Sequence, residues 1–291
     1  MMQAEGPIKP FPSPTGQDID KMLLERLSKK PFSKSSISIR LSVLVLAVLT
    51  IYAFASFDYK DVKLWDALLL TVDNLKTMFF EPHLKHFTFT QALYQVSVTL
   101  GLAFLTTIFG AIIALMLGLL AAGNISSKSL SIAIKGSVAL IRAVPTVLWV
   151  LIFAVAAGLG SVAAVIGMTF HSISYLVKAY SESFEEIDKG AIEALQASGA
   201  NWWQIVFQVI IPSSITYIIS WTFMRFEINF AVAVAMGAAA GAGGIGFDMF
   251  MASGFYFDLS EIGAITYFIL MIAICLEIFA TQIKRKLKVS S

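Results

Sequence analysis

Charge is what this sequence has least of. Only 14% of its 291 residues are Asp, Glu, Lys or Arg, against roughly 25% in soluble domains, and 57% are apolar. A chain so poor in charge could not cover a water-facing surface without large apolar patches, which excludes a soluble globular fold. One cysteine, Cys275, excludes an intrachain disulfide. A net charge of +2 supplies no basic field for nucleic acid. No G-x-x-x-x-G-K-[ST] occurs, so the chain has no P-loop with which to bind ATP. No nucleophile–base motif is present, and no His, Cys, Asp or Glu grouping has metal-ligand spacing. The sequence therefore offers no catalytic residue, no metal and no cofactor of its own.

What is there is long apolar runs, with a mean hydropathy of +0.79. Runs near 41–57, 93–122, 132–157, 160–180, 212–236 and 259–283 each approach or exceed the ~20 residues needed to cross the hydrocarbon. The expected fold is all-α, a polytopic membrane protein with about six transmembrane helices. The second run is long enough to tilt or protrude. Pro145 interrupts the third, so neighbouring helices must satisfy the freed backbone groups. Ala53-Phe54-Ala55 resembles a signal-peptide cleavage site, but the polar region ahead of it is too long for a normal n-region, and the first helix is expected to stay uncleaved.

Residues 1–36 read as a polar tail with a short amphipathic stretch, Ile19 to Leu27, at the headgroups. Residues 37–90 read as the first span and a mixed, aromatic external loop. Residues 91–285 carry the remaining spans, with a polar loop at 181–211, and 286–291 form a C-terminal tail. Seven of the 21 basic residues precede the first span, Lys284, Arg285, Lys286 and Lys288 follow the last, and 237–260 has none. By the positive-inside rule both termini and the 181–211 loop are cytoplasmic. The four lysines in 58–90 weaken this asymmetry without reversing it.

The 181–211 loop holds the most specific pattern. Acidic Glu185, Glu186 and Asp188 precede a helical stretch that begins near Gly190, which suits the helix dipole. Ala194, Ala197 and Ala200 are small enough for another surface to approach. Gly199 ends the helix, and Trp202 and Trp203 anchor the chain at the interface before the next span, in whose first turn Pro212 is tolerated. On spacing alone this is either a docking helix or an ordinary connection between two spans.

Glu193-Ala194-Leu195, then Gly199, then Val209-Ile210-Ile211-Pro212 resembles the coupling loop of ABC importer permeases, in which Glu-Ala-Ala, a glycine and a proline keep this spacing. Leu195, Val209 and Ile211 depart from that pattern, apolar for apolar. Arg225-Phe226-Glu227-Ile228-Asn229, with Gly241, Gly243, Gly244 and Gly246, resembles the C-terminal signature of phosphonate-importer permeases. Arg142-Ala-Val-Pro145 resembles the Arg-x-x-Pro step of such permeases. The resemblance covers about residues 90–285 and implies a type I ABC importer permease fold and a homodimer. It also implies an ABC ATPase subunit dimer that binds the ATP and docks on the coupling helix, and a periplasmic or lipid-anchored substrate-binding protein. The implied cargo is phosphonate, or phosphite or another small phosphorus oxyanion.

Individual residues keep two readings. Arg225 and Glu227 lie in an apolar span, where a charge costs about 2.5–3.5 kcal/mol on insertion scales. Arg225 and Asn229 share a helix face, while Glu227 points roughly the other way. Arg225 either attracts an anion along the pathway or pairs with a carboxylate, and Glu227 either lines the pathway or packs at an interface. Arg142 either caps the inner end of the pathway or snorkels to headgroups. His171 reads as an interhelical hydrogen bond. Gly241 to Gly246 matches G-x-G-x-x-G, but no βαβ unit is possible between two membrane helices. These glycines therefore read as close helix approach or a re-entrant turn near the outer gate. An ion-coupled secondary transporter would show internal repeats, and none is evident.

Overall fold

The computed structural model describes residues 34–57 and 63–289. The stretch Ile19 to Leu27 lies outside the described residues. The chain divides into two units, residues 1–67 and 68–291. In the first, α1 (Lys34–Ser56) is apolar on all sides, as a helix surrounded by lipid must be. α2 (Leu64–Phe80) begins at the end of this unit.

In the second unit, α3 (Phe89–Ala121) starts at a capping box in which Thr88 and Gln91 bond each other's backbone. Its 33 residues span about 50 Å, well beyond the hydrocarbon thickness. α4 (Lys128–Ala143), α5 (Thr146–Ala157), α6 (Ser161–Glu185) and the short α7 (Lys189–Ala197) follow. α8 runs from Trp202 to Ala240, α9 covers Ile245–Met251, and α10 covers Leu259–Val289. No strand occurs among the described residues. α3 packs most extensively on α6, and α8 crosses both. Glycines permit this contact: a Cβ on Gly110 would stand 2.9 Å from the Ser172 Cβ.

Among the described residues five helices are long and apolar enough to cross a membrane, and the bent pair α4–α5 makes up to six. Three features differ from expectation. The 132–157 run is two helices meeting at 90°. Val144 before the proline is extended, because the proline ring excludes the helical conformation from its predecessor. The loop expected at 58–90 contains α2, whose apolar Trp65, Leu68, Val72 and Leu75 recur at helical spacing. The span expected to begin at Pro212 begins ten residues earlier, at Trp202. A π-helical turn, Val206–Ile210, immediately precedes Pro212 and absorbs its missing N–H within a continuous helix.

Candidate functional site

His171, Tyr175, Lys178, Glu182 and Glu185 recur at intervals of four and three along α6, so they form one stripe down the helix. The opposite side of α6 carries Leu176, Val177, Tyr180 and Phe184, buried in the core with α3 and α8. That burial fixes which way the polar stripe faces.

Arg225 of α8 meets the inner end of this stripe and is only 2% exposed. Its Nε donates to Ser172 Oγ at 3.0 Å, its Nη2 bonds His171 Nδ1 at 3.1 Å, and its guanidinium lies 5.2 Å from the Tyr175 ring centroid. Arginine only donates, so His171 Nδ1 accepts, and the imidazole is the neutral tautomer with its proton on Nε2. Ser172 Oγ in turn donates to Asn229 Oδ1 at 3.1 Å, and Asn229 Nδ2 donates to Thr107 Oγ1 at 2.9 Å. The network ends on the backbone, where Thr107 donates to Ala103. Every partner of Arg225 is neutral. Among the described residues no carboxylate bonds Arg225, so the pairing weighed from sequence is absent there and the guanidinium has no counter-charge in contact. Glu227 lies half-buried on another face of α8.

Below Tyr175, a cavity of about 300 Å³ is lined by Arg142, Tyr175, Lys178, Ala179, Glu182 and Trp221. It adjoins one of about 260 Å³ that shares Arg142, Lys178 and Glu182 and adds Lys135 and Glu185. Lys178 and Glu182 stand 3.6 Å apart, and Lys135 and Glu185 2.7 Å. Four cations therefore run from the buried Arg225 through Arg142 and Lys178 to Lys135, against two carboxylates. Two of the four cations are paired with those carboxylates, which leaves Arg225 and Arg142 as the excess positive charge along the seam. Sequence reasoning singled out Arg225, Asn229 and Arg142 but missed Ser172, Tyr175, Lys178 and Lys135. The four-three spacing of polar residues in α6 was the available signal.

At the end of the seam, Glu185 also accepts from the Gly123 amide at 2.6 Å. α7 follows, capped by Asp188, whose side chain accepts from the Gly190 amide. Ile192 is buried and Leu195 half-buried, while Glu193 and Ala194 face outward. The chain leaves α7 through Gly199, whose φ of +84° is accessible mainly to glycine. Trp202 turns inward, donating its indole N–H to Ile125 O at 2.9 Å, while Trp203 stays exposed. Pro212 lies inside α8, nearly three turns from its start at Trp202. Pro145 forms the α4–α5 corner, with Arg142 one turn before it.

At the opposite end, Gly241 closes α8 at φ +61°, and Gly243 and Gly244 also have positive φ. The chain folds back so closely that Gly246 rests on the Val234 carbonyl, with no room for a Cβ. Thr99 Oγ1 accepts the Ile245 amide, which opens α9. Helices flank this segment on both sides, so the geometry of a dinucleotide fold is absent. The fold brings together a grouping that has no local spacing in the sequence. His86, Asp258 and Glu261 place ligand atoms within 4.8 Å of one another, although about 170 residues separate the two halves.

Residues 114–289 match the family described as binding-protein-dependent transport system inner membrane component, which is more than half of the chain. The chain is 29% identical over 191 residues to a phosphate-import permease protein, PhnE, of Mycolicibacterium smegmatis, covering 65% of this chain and 35% of that one. It is 27% identical over 191 residues to the phosphite transport system permease protein PtxC of Stutzerimonas stutzeri, covering 65% and 69%. Over 94 residues it is 34% identical to a putative cryptic phosphonate transport system permease protein, PhnE2, of Escherichia coli, covering 32% and 76%. The chain thus spans only about a third of the mycobacterial relative. Among solved structures, an inward-facing MetNI methionine ABC transporter superposes with a TM-score of 0.61 at 22% identity, covering 67% of this chain and 95% of that one. The spans, the bent α4–α5 pair and the family match agree: this chain belongs to the binding-protein-dependent transport system inner membrane components.

Proposed function

We propose that the chain is the permease subunit of an ATP-driven importer of phosphonate or a closely related phosphorus oxyanion. The observation that carries this reading is the buried Arg225, held by neutral partners at the head of a cationic seam. A guanidinium in that setting gains most from an anion that supplies the missing charge through paired N–H bonds. Phosphite and phosphate have the same requirement, and two of the relatives are named for them. Cargo would enter beside the Gly241–Gly246 turn, meet Arg225, and leave past Arg142, Lys178 and Lys135.

Two copies of the chain would enclose the pathway, and a periplasmic or lipid-anchored binding protein would deliver the cargo to its outer side. Each copy would seat one ATPase subunit against the exposed Glu193–Ala194 face of α7, and ATP would bind on those subunits. Both termini and α7 would lie in the cytoplasm. α7 adjoins the anchored Trp202–Ile125 contact and the Glu185–Gly123 contact, so its movement would pull on α3, α4 and α6 together.

The test is growth. A bacterial strain lacking its own phosphonate and phosphite uptake, but able to metabolise both, receives the permease with its ATPase and binding protein. Growth on a phosphonate as sole phosphorus source is expected. Growth on phosphite alone moves the cargo within the class, and growth on neither, with the complex present in the membrane, contradicts the reading.

A further inference from the structure

Two of the chain's three histidines, His83 and His86, lie between α2 and α3, away from the cationic seam. They face Asp258 and Glu261 at the start of α10, at the end of the bundle opposite α7. His83 Nε2 lies 3.1 Å from Asp258 Oδ2, and His86 Nδ1 lies 2.7 Å from Glu261 Oε2. Either pair alone would be an ordinary hydrogen bond. Two such pairs converge here, and their surroundings fix them.

In each carboxylate one oxygen is held by backbone and the other is turned to imidazole. Glu261 Oε1 accepts the amides of Lys85 and His86 at 2.9 and 2.7 Å, and Asp258 Oδ1 accepts the Glu261 amide at 3.1 Å. The His86 ring stacks on Tyr256, with centroids 3.8 Å apart and planes 7° from parallel. Such outer contacts are what orient ligands around a metal.

We propose that His83, His86, Asp258 and Glu261 bind one zinc ion. Two imidazoles and two carboxylates form a donor set suited to tetrahedral zinc, and a divalent ion balances the two carboxylates. The donor atoms of His86, Asp258 and Glu261 already lie within 4.8 Å of one another. Ligands about 2.0–2.2 Å from zinc stand roughly 3.4 Å apart, so those three need only small shifts, while His83, outside that group but 3.1 Å from Asp258, swings in as the fourth. The ion would pin residues 83–86 to the head of α10, immediately before the capping box that starts α3.

The test uses the full chain in detergent, stripped with a chelator and titrated with zinc chloride. About one zinc per chain retained after dialysis is expected, with a rise in Tm that magnesium does not reproduce. His86→Gln and Asp258→Asn should each weaken zinc affinity by more than the roughly 10–100-fold that loss of an outer-shell contact produces. Absence of retained zinc and of any Tm change in the unmutated chain overturns the proposal without reference to a variant, and leaves the pairs as hydrogen bonds. Zinc held equally by both variants overturns the assignment to these residues.

Discussion

Arg225→Gln cuts uptake by at least about tenfold while leaving the protein in the membrane. The substitution removes the guanidinium charge at the head of the seam. A hydrogen bond to a charged group contributes about 1.5–3 kcal/mol, so losing one such bond to a passing oxyanion slows transport by roughly 10- to 150-fold, and losing two multiplies the effect. Stability moves the other way. Arg225 has neutral partners, Ser172, His171 and the Tyr175 ring, so replacing it relieves an uncompensated buried charge. The glutamine amide can still reach one of the two hydrogen-bonding partners. Arg225→Lys keeps the charge but loses the planar fork, and should fall between the two. The measurements are initial uptake rate and membrane abundance of each variant. A structural arginine would show the reverse pattern, reduced abundance with uptake per molecule unchanged.

Gly199→Trp separates insertion from coupling. Nothing lies within 4 Å of a Cβ built at Gly199, so the indole projects outward beside α7 and displaces no core residue. The left-handed backbone adds a local cost of about 1–2 kcal/mol for a non-glycine residue, far less than is needed to unfold a membrane domain. The ATPase subunit should no longer co-purify, and uptake should fall to background. Gly199→Ala carries the same backbone cost without the bulk and should retain most of the association. Normal transport by the tryptophan variant would remove α7 from the docking surface.

The spans were legible in the sequence because lipid selects on composition, and composition can be read without contacts. The α7 segment was legible through its spacing, Glu193, Gly199 and Pro212, although the spacing did not show that Trp202 already begins the next helix. That start depends on the Asn201–Gln204 capping box and the π turn before Pro212. Pro145 could be read as an interruption, but the 90° corner could not, since a proline in a span kinks or breaks it according to its neighbours. α2 was hidden in a segment that reads as a loop because its aromatic and charged residues dilute its hydropathy.

The site was half legible. A lone Arg225 in an apolar run announces itself, but the neutrality of its partners does not, since Ser172 and His171 lie more than fifty residues earlier. Lys178 and Glu182 read as the polar end of a span. They line a cavity only because Leu176 and Tyr180, on the other side of α6, are buried in the core. His83, His86, Asp258 and Glu261 gave no signal at all, because pairing across about 175 residues leaves no local spacing to find.

The central claim is that the permease moves a small phosphorus oxyanion with Arg225 as the charge it meets. The most direct measurement is ATP hydrolysis by the permease reconstituted with its ATPase and binding protein, across methylphosphonate, aminoethylphosphonate, phosphite, phosphate and sulfate. The account predicts stimulation by one or more phosphorus oxyanions, none by sulfate, and loss of coupled uptake in Arg225→Gln. Equal stimulation by sulfate, or full uptake by Arg225→Gln at normal abundance, would contradict it.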